Sequence, residues 1–220
     1  MMRVIVFCGL IFSLISSCLA TLMWLPATVE AVDLGSIGMG VGGSWMSQDY
    51  DFGNDPQLEV VDGGVVEPAA GAFLWIRLHH RISAGVEVLY LRKGFESTPV
   101  VINSSGQVVG ETAIQYNVNY LSIPLTARFE IETLPGLLYL FVGPSAEILL
   151  SHDEFGQVFE NFNTVTAAFH VGVGFERERF GGNIRYSRDF SSSLDAPAAW
   201  SLQSVKNHGV LALFTIALWR

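Results

Sequence analysis

His170, Ser145 and Ser187 are the residues whose types suit covalent chemistry: an imidazole to act as base and two hydroxyls to act as nucleophile. Acyl transfer needs the base within hydrogen-bond reach of the serine and a carboxylate to orient the ring. No G-x-S-x-G turn accompanies them. They support only a secondary reading, a lipid hydrolase. In the leading reading no residue is catalytic and His170 is a polar packing residue. His79 and His80 are adjacent, and neighbours on a strand point to opposite faces, so they predict no shared metal site. His152 and Asp153 read as solvated loop residues. The glycine-rich GMGVGG leads into no helix, so it predicts no phosphate cradle. No metal-binding or cofactor-binding residue is assigned.

The remaining candidates are ionic: Arg77, Glu87, Arg128, Glu130, Glu147, Glu176, Arg185 and Asp189. They are three arginines and five carboxylates, and each lies on the less bulky face of an alternating segment. If those faces line one enclosed space, the charges must pair, because an isolated buried charge is too costly. The expectation is a network that fills that space.

Strand alternation is what positions these residues. In YLSIPLTARFE, from Tyr120 to Glu130, Leu121, Ile123, Leu125, Ala127 and Phe129 form one row. Tyr120, Ser122, Pro124, Thr126, Arg128 and Glu130 form the other, with the period of two of a β-strand. Similar or β-rich segments occupy 33–48, 68–80, 82–96, 112–131, 136–150, 164–180, 182–191 and 205–220. Their connections alternate in length. DYDFGNDPQLEVVDGG, STPVVINSSGQVVGE, SHDEFGQVFENFN and SSLDAPAAWSLQ are long, while HRIS, ETLPG and RFGG between them are short. An up-and-down barrel sends alternate connections to opposite ends, and membrane barrels keep short turns inside and long loops outside. Asp49, Asp51, Asp55, Glu59, Asp62, Glu67, Asp153, Glu154 and Glu160 fall in the long loops.

Composition agrees. Half of the 220 residues are hydrophobic and 15% are charged, with a mean hydropathy of +0.39. Yet no apolar run of about 18 residues follows the N-terminal segment. A chain this apolar without apolar helices predicts an all-β fold, an eight-stranded antiparallel up-and-down transmembrane β-barrel.

The two faces can then be assigned. Val165, Ala167, Phe169, Val171, Val173 and Phe175 oppose Thr166, Ala168, His170, Gly172, Gly174 and Glu176. Ile184, Tyr186 and Phe190 oppose Asn183, Arg185, Ser187 and Asp189. Eight bulky rows would overfill so narrow a barrel, so they belong outside, against lipid. Trp45, Phe95, Tyr116, Tyr120, Tyr139, Phe180 and Trp219 are candidates for interfacial girdles. Pro124 lacks an amide donor and predicts a bulge or a wet gap on the inner face.

The N-terminus reads as an export signal: MMR precedes the apolar VIVFCGLIFSLIS. The domain division is a signal peptide over 1–31 and a barrel over 32–220. Cleavage after Ala20, lipidation of Cys18 and a retained helix remain open. Both cysteines, Cys8 and Cys18, lie in this leader, so its removal after Ala31 leaves no disulfide and no thiolate site. A net charge of −9 and the lack of any basic tract argue against nucleic acid as a partner.

YLSIPL resembles the YLEIPL strand of the PorT-like outer-membrane β-barrel family. GVEVLYLRKGFE, LFVGPSAEILLS, GGNIRYSRDFSS and HGVLALFTIALW are similar to its other strands. The resemblance implies an eight-stranded barrel in the outer membrane of Gram-negative bacteria. It also implies contact with outer-membrane lipid, insertion by the barrel-assembly machinery through the C-terminal strand, and envelope or secretion-system proteins as partners. Ser122 replaces the family's glutamate, and the terminal aromatic, Trp219, is penultimate here. The functional expectation is a structural or interaction protein with a lumen plugged by side chains. The alternatives are a small-solute porin and the barrel-type lipid hydrolase.

Overall fold

A computed structural model describes residues 33–51, 62–97, 100–102, 108–111, 114–152, 163–193 and 204–219. The signal-peptide reading and its cleavage sites lie outside them. In chain order the strands are β1 (Asp33–Asp51), β2 (Asp62–His79), β3 (Ile82–Ser97), β4 (Val100–Ile102), β5 (Val108–Glu111), β6 (Ile114–Thr133), β7 (Gly136–His152), β8 (Val165–Arg177), β9 (Phe180–Asp189) and β10 (Ser204–Trp219). Eight of them close into an antiparallel barrel in the order β1-β10-β9-β8-β7-β6-β3-β2. The other two, β4 and β5, form a separate hairpin in a connection that the sequence reads as a plain loop. Four of the barrel strands run from 17 to 20 residues. About nine to eleven suffice to cross the hydrocarbon, so these strands project beyond it.

The faces divide as the bulk of the side chains requires. Val171, Ile184 and Phe214 are 46%, 58% and 57% exposed on the outer wall, whereas Thr166, Ala168 and His170 on the inner row are at 0%. Backbone polar groups are satisfied between strands, and closure leaves no edge, so this wall can stand in hydrocarbon.

Three expectations change. Pro124 causes no bulge. Of the bulge and the gap expected there only the bulge is contradicted: Pro124 keeps its pairing with Ser145, while the β3–β6 ladder lapses between Val86 and Leu89 and the β6–β7 ladder between Pro124 and Ala127, each resuming in the same register. The register shift on β6 falls instead at Asn119/Tyr120. Tyr120 and Tyr139 are buried in the lumen, not in a girdle, because they share the inner row of Ser122 and Phe141. Trp45, Phe180 and Trp219 do face outward; the side chains of Phe95 and Tyr116 lie outside the described ones. Nor is the interior uniformly polar, since Ala69, Leu89, Leu91, Leu211 and Leu213 pack together on the side formed by β2, β3 and β10.

Glycine makes room for the inner aromatics. Tyr139 pairs directly with Gly174 across β7–β8, and Trp75 with Gly85 across β2–β3. A Cβ at either glycine would overlap the ring opposite. The rings therefore lie flat along the wall and leave the axis to longer side chains.

Candidate functional site: the barrel lumen

The lumen is filled from both ends by ionic side chains on facing strands. Toward the short turns, Arg128 on β6 donates to Glu130 Oε1 at 2.8 Å and to Glu176 Oε1 at 2.6 Å. Ser83 Oγ also donates to Glu130, at 2.6 Å. The guanidinium lies 4.7 Å from the ring centre of Trp75 and 4.4 Å from that of Tyr139, the two aromatics seated opposite glycine. Planar stacking with paired donors is a geometry that arginine provides and lysine does not.

Nearer the middle, Arg185 Nη2 on β9 meets Glu87 Oε2 on β3 at 2.9 Å. Asn183 Oδ1 accepts from Arg185 Nε and Nη2 at 3.1 and 3.0 Å, and Phe141 lies under the guanidinium at 4.7 Å. Toward the long loops, Lys93 Nζ on β3 pairs with Glu147, and with Asp189 Oδ1 at 3.0 Å. Asp189 Oδ2 accepts from Ser193 Oγ at 3.0 Å and from Asn207 Nδ2 at 2.6 Å, and Gln48 Nε2 donates to Asn207 Oδ1 at 2.8 Å. In the ring of strands β3 and β9 stand on opposite walls. The Glu87–Arg185 and Lys93–Asp189 pairs therefore each cross the full width of the lumen.

Seven of the eight ionic residues singled out from sequence are thus brought together in buried or nearly buried pairs. Arg77 is not among them. It is exposed at the short-turn mouth, where it lines an open cavity of about 310 Å³ with His80, Glu130, Glu132, Glu176 and Glu178. It lies two residues from the end of β2, so its side chain reaches water at the mouth. Lys93, which bridges two of the predicted carboxylates, is absent from the sequence-derived set. Extending the Glu87 row by twos through Leu89 and Leu91 arrives at it; the intervening leucines hide the continuation.

His79 and His80 also differ from expectation. His80 lies in the turn after β2, so strand alternation does not separate them, and His80 Nδ1 comes to 3.0 Å from His79 Nε2. Among the described residues no group of three or more His, Cys, Asp and Glu is arranged to hold a metal ion. His170 and Ser187 are paired across β8–β9, yet His170 Nδ1, His170 Nε2 and Ser187 Oγ make no hydrogen bond among the described residues. Ser145 is instead bonded to Ser122, Oγ to Oγ, at 2.8 Å. Within the lumen a space of about 10 Å³ lies beside Glu87, Arg185, Tyr139 and Phe141. That is room for about one water molecule.

The outer membrane protein beta-barrel domain model matches residues 34–195. The chain belongs to this family. Membership and the closed barrel together place the protein in the outer membrane. Solved structures with the same kind of barrel include Neisserial surface protein A, at 11% identity and a TM-score of 0.46, covering 84% of this chain and 98% of that one. The attachment invasion locus protein Ail of Yersinia pestis, in complex with the heparin analogue sucrose octasulfate, is similar at 16% identity and a TM-score of 0.43, covering 84% and 99%. The outer membrane protein AlkL in DMPC lipid bilayers is similar at 13% identity and a TM-score of 0.42, covering 87% and 94%. A comparison with curated proteins finds no match.

Proposed function

We propose that this family member is a closed barrel with a structural or interaction role: its lumen is a plug and its acidic long loops are the working surface. The observation that carries this reading is the pair of ionic contacts crossing the whole lumen, Glu87–Arg185 and Lys93–Asp189. The space beside Glu87 and Arg185 has room for about one water, which supports a lumen blocked at that level. A small-solute channel would require these pairs to separate. A lipid hydrolase would require His170 to reach a serine and a substrate, whereas it is fully buried and not bonded to Ser187.

Within the family the chain fits the PorT-like members best, on the strength of YLSIPL, LFVGPSAEILLS and GGNIRYSRDFSS. Envelope or secretion-system proteins are then the partners for the loops, and Trp219 is the aromatic offered to the assembly machinery. Residues 1–31 serve as the export signal, which N-terminal sequencing of the membrane-inserted protein tests.

Planar-bilayer recording of the purified protein tests the closed-barrel reading. Silence is the expected result, with openings appearing only when Lys93 and Arg185 are both replaced by alanine. Steady openings of the unaltered protein would overturn the plug in favour of solute transport. Photo-crosslinkers placed in the long loops, compared with one at Val171 on the lipid face, test the interaction role. Protein adducts should form only from the loops.

A further inference from the structure

Of the buried cations described in the lumen, Arg128 and Arg185 are arginines and Lys93 is a lysine. Arginine grips carboxylates with paired donors and does not give up its proton. Lysine can give up a proton, and a desolvated amine is a nucleophile. Lys93 of β3 faces two acids at once: Glu147 of β7, and Asp189 of β9 at 3.0 Å from Nζ to Oδ1. The three side chains are 1%, 0% and 0% exposed. One ammonium between two carboxylates leaves a surplus negative charge in a dry interior, which a simple ion pair avoids. Asp189 is also oriented as an electrophile. Its Oδ1 faces the lysine. Its Oδ2 accepts from Ser193 Oγ at 3.0 Å, from Asn207 Nδ2 at 2.6 Å and from the Asn207 backbone N at 3.2 Å. Donors converge in this way on an oxygen that takes up negative charge when its carbon is attacked. Glu147 Oε2 accepts from Lys93 Nζ, while Glu147 Oε1 makes no hydrogen bond among the described residues. That carboxylate has the capacity to take a proton and return it. The Tyr120 ring, with its centre 5.2 Å from Nζ, covers the amine.

We propose that Lys93 and Asp189 join in an intramolecular amide, with Glu147 as the proton carrier. Glu147 relays two protons in turn from Nζ to Oδ1. A bond forms between Nζ and Cγ of Asp189, the Cγ–Oδ1 bond breaks, and Oδ1 leaves as water. An ammonium and a carboxylate thus become an amide and water, and no other reagent is consumed. Glu147 ends as it began, a carboxylate, now accepting from the new N–H. The neutral product removes one buried cation and one buried anion, whose desolvation is costly. Burial keeps water from reversing the step. The bond ties the opposite walls β3 and β9 together and makes the plug permanent at that level. The inference deepens the closed-barrel reading and rests on its lumen contacts; the same two residues left as an ion pair would still block the lumen.

The test is tandem mass spectrometry of tryptic pieces from the membrane-inserted protein. Trypsin does not cut after an acylated lysine. Pieces 93–128 and 189–206 should therefore appear joined, and lighter by one water than their sum. An unjoined Lys93 is cut, giving a piece that begins at Gly94 and a separate 189–206. That outcome in the unaltered protein overturns the proposal. During refolding into micelles, E147Q should slow joining by about a hundredfold, the lower end of what a positioned proton carrier contributes. Joining at an equal rate overturns the role given to Glu147. K93R keeps the positive charge and should yield 189–206 unjoined; a joined piece there overturns the assignment to Lys93. Heat-modifiable gel mobility confirms that each variant is folded. Should E147Q not fold, the unaltered protein decides, by the joined piece or by the piece that begins at Gly94. Separate pieces with silence in planar bilayers would sink the amide and leave the plug. Joined pieces with steady openings would do the reverse.

Discussion

Glu87 on β3 and Arg185 on β9 stand on opposite walls of the barrel and meet across its axis at 2.9 Å. Both side chains are almost wholly buried. Removing one leaves an uncompensated charge in a dry interior, which costs far more than the pair contributes. Arg185→Leu should destabilise the barrel by about 3–5 kcal/mol. Glu87→Leu/Arg185→Leu should recover much of that loss. Urea unfolding in micelles, followed by gel mobility, measures both; equal stability of the single and double variants would show that the charges do not depend on one another.

Tyr139 fills the space opposite Gly174, so a methyl group there must push the ring or the strand aside. Gly174→Ala should cost about 1–3 kcal/mol, the usual penalty for overpacking a filled interior. Because the Tyr139 ring also lies beside Arg128, the same change should disturb the Arg128–Glu176 contact. Gly182→Ala provides the control, since a Cβ there meets only one backbone oxygen at 3.4 Å. A Gly174→Ala variant as stable as that control would remove the packing argument.

Val171, 46% exposed midway along β8, should tolerate no charge. Val171→Arg should lose about 2–4 kcal/mol, the depth-dependent cost of a cation facing lipid near the bilayer midplane. Refolding yield into vesicles reads it directly. An unchanged yield would mean that this row does not face hydrocarbon.

Glu178, in the β8–β9 turn, has a φ of 56°, in the left-handed region that side chains with a Cβ disfavour. Glu178→Gly should be more stable than Glu178→Ala by about 1 kcal/mol, because both lose the glutamate's interactions and only glycine relieves the left-handed penalty. The midpoint of thermal unfolding, read by gel mobility, should be higher for the glycine variant. Equal midpoints would show that the backbone stores no such penalty at this turn.

Period-two alternation was enough to determine which residues of β8 and β9 face lipid. The inner space of eight strands is too narrow for Phe169, Val171 and Ile184, and that conclusion needs no coordinates. The sorted loop lengths likewise determined the up-and-down order, because alternate connections of such a barrel must emerge at opposite ends. Which charges meet was decided only by closure and register. Lys93 and Asp189 are 96 residues apart in sequence, and they touch because the ring of strands sets β3 opposite β9. Arg77 obeys the same alternation as Trp75 but ends at a mouth open to water, and nothing local in the sequence distinguishes the two positions. Tyr120 and Tyr139 look like girdle residues by type; their inward row and, for Tyr139, the glycine across the ladder put them in the lumen. Alternation is a local property of one strand, whereas pairing across a lumen depends on every strand at once.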